Sequence, residues 1–355
     1  MSRVERWLGR SWTWIAVMAV ILAVLAGIGE MMHGGVEPGT GSAGFPLLSA
    51  LLGVPLLGMI AAWRTRQART AFALGLSVAV VELILAVQLL AGFQAHVPEM
   101  QFVERFEVLP WLGVHLGVDG LSVLFLPLTA LLTLFVILYA QSHRQERSGA
   151  FVGSVLALEA ALVGMFTALN LLQFWLFALA EAIPATVLIA CYGTSPGRNR
   201  AAWQFARSML GGLAMLLAGI VLLAWNHADA ADGVWSFDLP ALLATPVPEG
   251  RQSLIFILLF AGLAVRLALF PLHAWLPIVA KHGTVAVGMV FLVGAKVGIY
   301  ALLRFVLPNG TYLVLVTSGP ALALSMLAFF VLQGFAVLVE ERLHVRGWPR
   351  PLRHA

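Results

Sequence analysis

Five ionisable side chains, Glu82, Glu159, Glu181, Arg266 and Lys296, stand inside stretches of chain that are otherwise almost wholly apolar. An ionised group in hydrocarbon is costly unless it faces a partner, a polar cavity or water, so charges in such places mark ion paths or helix-locking pairs. The three carboxyls and the lysine amine can load and release protons once burial and neighbours bring them into range. Arg266 differs. It lies within Phe256–Phe270, a run with no other charge, and a guanidinium keeps its proton, so it acts as a fixed positive charge. Carboxylates and two cations in one apolar bundle point to a proton or ion relay.

Prolines stand beside two of these charges: Pro184 follows Glu181 by three residues, and Pro271 follows Arg266 by five. Proline has no N–H and its ring clashes with the carbonyl four residues back. Helix breaks are therefore expected at Pro184 and Pro271, freeing the carbonyls of Ala180 and Leu267. In a bilayer such carbonyls persist only where protein or trapped water satisfies them, and trapped water is also what a proton path needs. His273, two residues past Pro271, is of the residue type best suited to pass protons and is the natural proton-passing group there, a hydrogen-bonded structural histidine being the plainer alternative. Gly294 and Gly298 flank Lys296 and let another helix approach closely. Arg304, just before Pro308, reads as a snorkelling residue near the end of a span.

The elements that must hold these charges are membrane helices. Hydrophobic residues make up 61% of the chain and charged ones 11%, too skewed a balance for a soluble core of this size. Bilayer-length apolar windows lie near 12–29, 46–63, 71–94, 119–140, 149–169, 171–192, 203–225, 253–280 with a break at Pro271, 285–306 and 313–339. The fold class expected is all-α, a polytopic helical membrane protein of about ten transmembrane helices, without the period-two strands of a closed barrel. Lysines and arginines counted loop by loop fall on one side, with Arg105 and Arg251 as exceptions, so both termini are expected in the cytoplasm of a bacterial inner membrane. Arg3, Arg6 and Arg10 precede the first span and Gly29-Glu30-Met31-Met32 offers no small-residue cleavage site, which reads as a retained anchor. Residues 1–45 are thus an expected anchor and exterior loop, 46–340 the transmembrane domain, and 341–355 a basic cytoplasmic tail. Cys191 is alone, so no intramolecular disulfide forms. The sequence shows no metal-ligand cluster, phosphate-cradling loop or nucleophile constellation, and Gly193–Gly197 reads as a turn. No catalytic site, cofactor, metal or nucleic-acid partner is expected of this chain.

The order of motifs is distinctive. Gly117-Val118-Asp119-Gly120-Leu121-Ser122 opens a span, Leu158-Glu159 precedes Asn170, and Gly233-Val234-Trp235-Ser236-Phe237 lies outside. Phe270-Pro271-Leu272-His273-Ala274-Trp275-Leu276-Pro277 follows, then Lys296 with Tyr300 and Leu302-Leu303-Arg304-Phe305. Over residues 46–340 this series resembles the antiporter-like subunits of the proton-pumping NADH:quinone oxidoreductase, respiratory complex I, and of multisubunit sodium/proton antiporters, subunit M above all. The resemblance implies a glutamate–lysine pair on neighbouring helices, with a second lysine passing protons onward. Arg266 takes the place of the pair's lysine and Lys296 that of the onward lysine, while Glu159 is implied as a coupling residue toward a neighbouring subunit. The family glutamate would stand where Leu179 is; Glu181 is offset by two residues, about 200° of helix rotation. The segment Ile278–Thr284 departs from the family pattern.

The family builds two inverted repeats of five spans. The chain is expected to carry the first, a half-channel with a broken helix at Pro271. The function implied is that of a membrane subunit of an ion-translocating complex, moving or coupling protons through Glu181, Arg266, His273 and Lys296, with Glu159 beside them. Its partners would be other membrane subunits, including one that supplies a second repeat, and the lipid bilayer. As an enzyme it would be at most a subunit of an NADH:quinone oxidoreductase-type translocase. Two alternatives are a coupling subunit of an energy-driven inorganic-carbon (bicarbonate/CO2) uptake complex and a non-conducting structural subunit.

Overall fold

In a computed structural model, the described residues are 46–311 apart from 98, 110–111, 143–147, 194, 270–271, 284–285, 287 and 289–292. The expected spans at 12–29 and 313–339, the basic tail and Pro271 itself lie outside them. The chain forms α1 (Leu47–Arg64), α2 (Ala68–Gly92), a hairpin of β1 (Gln101–Leu109) and β2 (Leu112–Val118), α3 (Phe125–Ser142), α4 (Ser148–Thr167) and α5 (Leu171–Tyr192). It continues through α6 (Arg198–Ala230), a short α7 (Leu239–Ala244), α8 (Glu249–Arg266), α9 (Trp275–His282), α10 (Ala295–Ala301) and a π-helical segment, Leu302–Thr311. α1 to α6 are each long and apolar enough to cross a membrane. Their Leu, Ala, Val and Phe runs can dwell there because a helix satisfies its own backbone groups.

α4 is the central helix. Its most apolar stretch is 89% buried, against 39–44% for the other five, and it packs on α1, α2, α3 and α5. Small residues permit this closeness: a Cβ on Gly153 would strike the Trp63 ring and one on Gly164 the Phe177 ring. The five outer helices keep one face for the bundle and one for lipid. That explains exposed Ile60, Ile84, Phe135, Ile183 and Trp203 without invoking a binding surface.

Two connections between spans carry structure of their own. The residues between the second and third spans pair as an antiparallel hairpin with Glu104 opposite Leu116 and Arg105 opposite His115. Outside the bilayer a short polar-flanked segment can satisfy its backbone by pairing with itself. The stretch 226–252 is likewise structured: α6 runs to Ala230 and α7 fills part of the remainder.

The hairpin is tied to the bundle by Glu104, whose carboxylate accepts from the backbone N–H groups of Leu48 (2.8 Å) and Ser49 (2.9 Å) and from the Ser49 hydroxyl. Helix α1 starts after Pro46, which has no capping side chain. A strand carboxylate thus caps it and complements the helix dipole from outside. Burial pushes the Glu104 carboxyl above the ordinary range, and the hydrogen bonds from Ser49 and Leu48 oppose that rise. A raised native carboxyl contributes stability that is complete below the unfolded value and lost as pH rises through the native one. Thermal unfolding in detergent between pH 4 and pH 7 should therefore carry a component falling with pH that is absent from Glu104→Gln; an identical pH profile in the two would contradict this.

Candidate functional site

The site begins at the end of α8. The last helical residue is Arg266, and the chain closes the helix with a left-handed residue, Ala268 (φ 51°). Leu269 N–H reaches the Ala264 carbonyl (2.9 Å) and Ala268 N–H the Val265 carbonyl (3.1 Å), the double bond pattern that terminates many helices. The Trp275 indole N–H also donates to the Val265 carbonyl (2.9 Å). The expected break is present between α8 and α9, but it falls ahead of Leu267, and these three end carbonyl bonds come from protein rather than from trapped water. Glycine is the usual occupant of such a position, because a Cβ there meets the following carbonyl. Ala268→Gly is expected to stabilise the chain by about 1 kcal/mol, read as a rise in unfolding temperature; a fall would show that the methyl packs more than it strains.

The expected break at Pro184 does not form. α5 continues from Leu171 to Tyr192 through it, since proline deletes a single N–H and the packed neighbours α4 and α6 hold both halves in line. The helix is fixed at its start by Asn170, whose side-chain oxygen accepts from Leu172 and Gln173 N–H. Phe174, Ala178 and Glu181 follow at helical spacing on one face. Phe174 and Ala178 line an apolar cleft with Met209 and Leu213 of α6 and with Leu263 and Arg266 of α8.

Across that cleft Arg266 Nη2 donates to Glu181 Oε2 at 2.8 Å, with side-chain exposures of 9% and 2%. The ion pair thus joins α8 to Glu181, while Leu179, two residues earlier on α5, is half-buried. Arg266 Nε donates to the carbonyl of Gly294 (3.2 Å), which places the start of α10 on the same guanidinium. The other Glu181 oxygen, Oε1, is buried with no hydrogen-bond partner among the described residues. Because Arg266 is the final residue of α8, its charge also lies at the negative end of the helix dipole.

α8 can place Arg266 here because it runs unusually close to α6. A Cβ on Gly212 would come within 3.0 Å of the Gly262 carbonyl, and one on Gly262 within 2.7 Å of Leu216 N. α10 comes close in the same way, with Gly298 against the Leu267 side chain (2.7 Å from a Cβ to Cγ). Gly298 thus stands at a close approach to the residue that follows α8.

The remaining sequence candidates are placed elsewhere. Lys296, two residues past Gly294, has an exposed side chain and does not join the pair. His273 is half-buried in the turn ahead of α9, and its carbonyl accepts from Leu276 N–H (2.9 Å). Glu159 is fully buried on α4, facing Glu82 and the Thr133 hydroxyl rather than Arg266. Arg304 does not snorkel. It forms an ion pair with Asp119 Oδ2 and its Nη2 lies 2.9 Å from Met100 Sδ, while Asp119 Oδ1 accepts from Leu121 and Ser122 N–H at the approach to α3. A second cluster that sequence reasoning missed lies at the hairpin, where His115 Nδ1 meets Asp238 Oδ1 (2.8 Å) and Gln173 Oε1 accepts from His115 N–H. Both depend on partners more than fifty residues apart, which no local pattern reveals. Among the described residues there is no group of three or more side chains arranged to hold a metal ion.

Comparison with known proteins agrees with this architecture. Residues 168–340 match the family described as "NADH:quinone oxidoreductase/Mrp antiporter, TM". NADH-quinone oxidoreductase subunit M of Rhodobacter capsulatus is 35% identical over 249 residues, 68% of this chain and 48% of that protein. The subunit M of Escherichia coli K12 is 31% identical over 282 residues, 74% of this chain and 54% of its own. A chain of respiratory complex I from Thermus thermophilus superposes with a TM-score of 0.64 at 28% identity, covering 76% of this chain and 55% of that one. The chain spans about half the length of the curated relatives it matches. By its helical plan, its matched transmembrane domain and these relatives, the chain belongs to the NADH:quinone oxidoreductase/Mrp antiporter family of integral membrane subunits.

Proposed function

We propose that the chain is an ion-translocating subunit of a multisubunit complex in a bacterial inner membrane, and that it moves or couples protons at the Arg266–Glu181 pair. The observation that carries this is a buried arginine held at once by a carboxylate of α5 and a carbonyl of α10, at a point where one helix stops. A pair that served only to lock helices would leave no polar atom unspent, since unsatisfied buried oxygens are costly; Glu181 Oε1 is such an atom. It is the acceptor a proton would reach. Arriving there, the proton would cancel the charge that holds Arg266 Nη2, while Nε would keep its bond to Gly294. Arg266 itself holds its proton throughout and acts as a fixed charge. The change would then be felt at α10, two residues from Lys296.

His273 is proposed to pass protons between the pair and the region of the break. Lys296 is proposed to face a neighbouring membrane subunit, because an exposed amine on a helix of this bundle requires a polar surface opposite it. Proton uptake measured in inverted membrane vesicles with the assembled complex tests the reading. Glu181→Gln should lower coupled proton flux at least tenfold with the complex intact. Arg266→Lys preserves the charge and replaces a non-titrating cation with a titrating one, so flux should persist with an altered pH profile. Unchanged flux in Glu181→Gln would leave only the non-conducting structural reading.

A further inference from the structure

A second buried acidic site lies on the other helices of the bundle. Glu82 on α2 and Glu159 on α4 are both 0% exposed and are electrostatic neighbours. Helix register places them together independently. A Cβ on Gly75 would lie 2.5 Å from Val152 Cγ1, and Gly58 of α1 touches both Val78 and Leu156. These contacts advance in step along α2 and α4, so the two helices run parallel. Glu82 and Glu159 each come seven residues, close to two turns, beyond Gly75 and Val152. Thr133 reaches Glu159 from α3, one turn from the Ile137 that packs on Gly75.

Among the described residues of the four helices around them, no cation stands beside them. The other charged side chains on α1, α2, α3 and α4 are Arg64, at the end of α1, and Arg69, in the first turn of α2. Arg69 stands about 20 Å along the helix from Glu82. Glu82 has ten residues between it and the far end of α2 as well, about 15 Å of helix, so neither end offers water. Both Glu82 oxygens are buried without a hydrogen-bond partner among the described residues. Two unbalanced carboxylates at this depth would cost far more than the bundle's packing returns, whereas a bound proton removes one charge outright.

We propose that Glu82 and Glu159 form a proton-binding carboxyl pair near the middle of the membrane, holding a proton in the space they share with Thr133 and separate from the Arg266–Glu181 pair. The binding step is simple: a proton joins one carboxylate oxygen to give a neutral acid beside its partner, and no other bond changes. The site does not depend on the translocation reading.

Carbodiimide modification tests it. Dicyclohexylcarbodiimide enters membranes and reacts with protonated carboxyls, leaving a stable N-acylurea that peptide mass spectrometry can locate. In vesicles carrying the assembled complex at neutral pH, an adduct is expected on Glu82 or Glu159, at least tenfold above that in the Glu82→Gln/Glu159→Gln double variant. Each single Gln variant should carry the adduct on its remaining glutamate. Should the variants fail to assemble, the unaltered protein still decides, because its adduct yield must fall as the medium is made alkaline. Absence of any adduct at these two residues would overturn the proposal. So would protection by sodium but not by choline, which would assign the site to a metal cation.

Discussion

Replacing Glu181 with leucine is expected to destabilise the chain by about 3–5 kcal/mol and to abolish coupled proton flux. The loss is large because Arg266 would remain in a site where its side chain is 9% exposed, hydrogen-bonded to the neutral carbonyl of Gly294. The converse change, Arg266→Met, should cost less, since a stranded carboxylate can be neutralised by a proton while a stranded guanidinium cannot. The double variant Glu181→Leu/Arg266→Met removes both charges and should recover most of the stability, as apolar replacements of buried pairs commonly do, yet conduct nothing. Unfolding by denaturant in detergent, with flux assayed in parallel, separates these cases. Additive losses in the double variant would mean that the two side chains do not act as a pair.

The second large effect is expected at the seam of α6 and α8. A methyl on Gly262 would stand 2.7 Å from Leu216 N and 2.8 Å from the Gly212 carbonyl. These are main-chain atoms that cannot rotate away, so the helices must part. Overpacking of this kind costs about 1–3 kcal/mol, and Gly262→Leu should exceed Gly262→Ala. The same parting draws Arg266 off Glu181, so flux should fall along with stability. Gly211→Ala is the control: a Cβ there meets nothing within 4 Å, and neither stability nor flux should fall, alanine being the better helix former. Equal behaviour at 211 and 262 would remove the close approach from the account of the site.

Arg304 and Asp119 show where local reading stops. Arg304 stands near a proline and a span end, which by itself reads as a side chain seeking water. Its 185-residue separation from Asp119 becomes a contact only after four intervening transmembrane helices have packed. The hairpin shows the same limit for backbone. Its residues carry no long apolar run, and what ties it to the bundle, Glu104 capping α1, joins residues 56 apart in sequence.

The sequence by itself determined that this is a helical membrane protein. Hydrocarbon admits only backbone that satisfies its own hydrogen bonds, so apolar length translates directly into spans. It also marked Glu181, Arg266 and Glu159 as buried charges and pointed to a helix break at Pro271, because solvation cost and a missing proline N–H are properties of single residues. Only the tertiary structure decided which charges meet. A two-residue offset on α5 left Glu181 an uncertain partner by helix rotation alone, yet the packing of α5, α6 and α8 brings it to 2.8 Å from Arg266. The same packing sends Glu159 to Glu82 and leaves Lys296 outward, and it lets α5 run straight on through Pro184. Pairing depends on which helix faces touch, and that is set by glycines and side-chain volumes acting across the whole bundle.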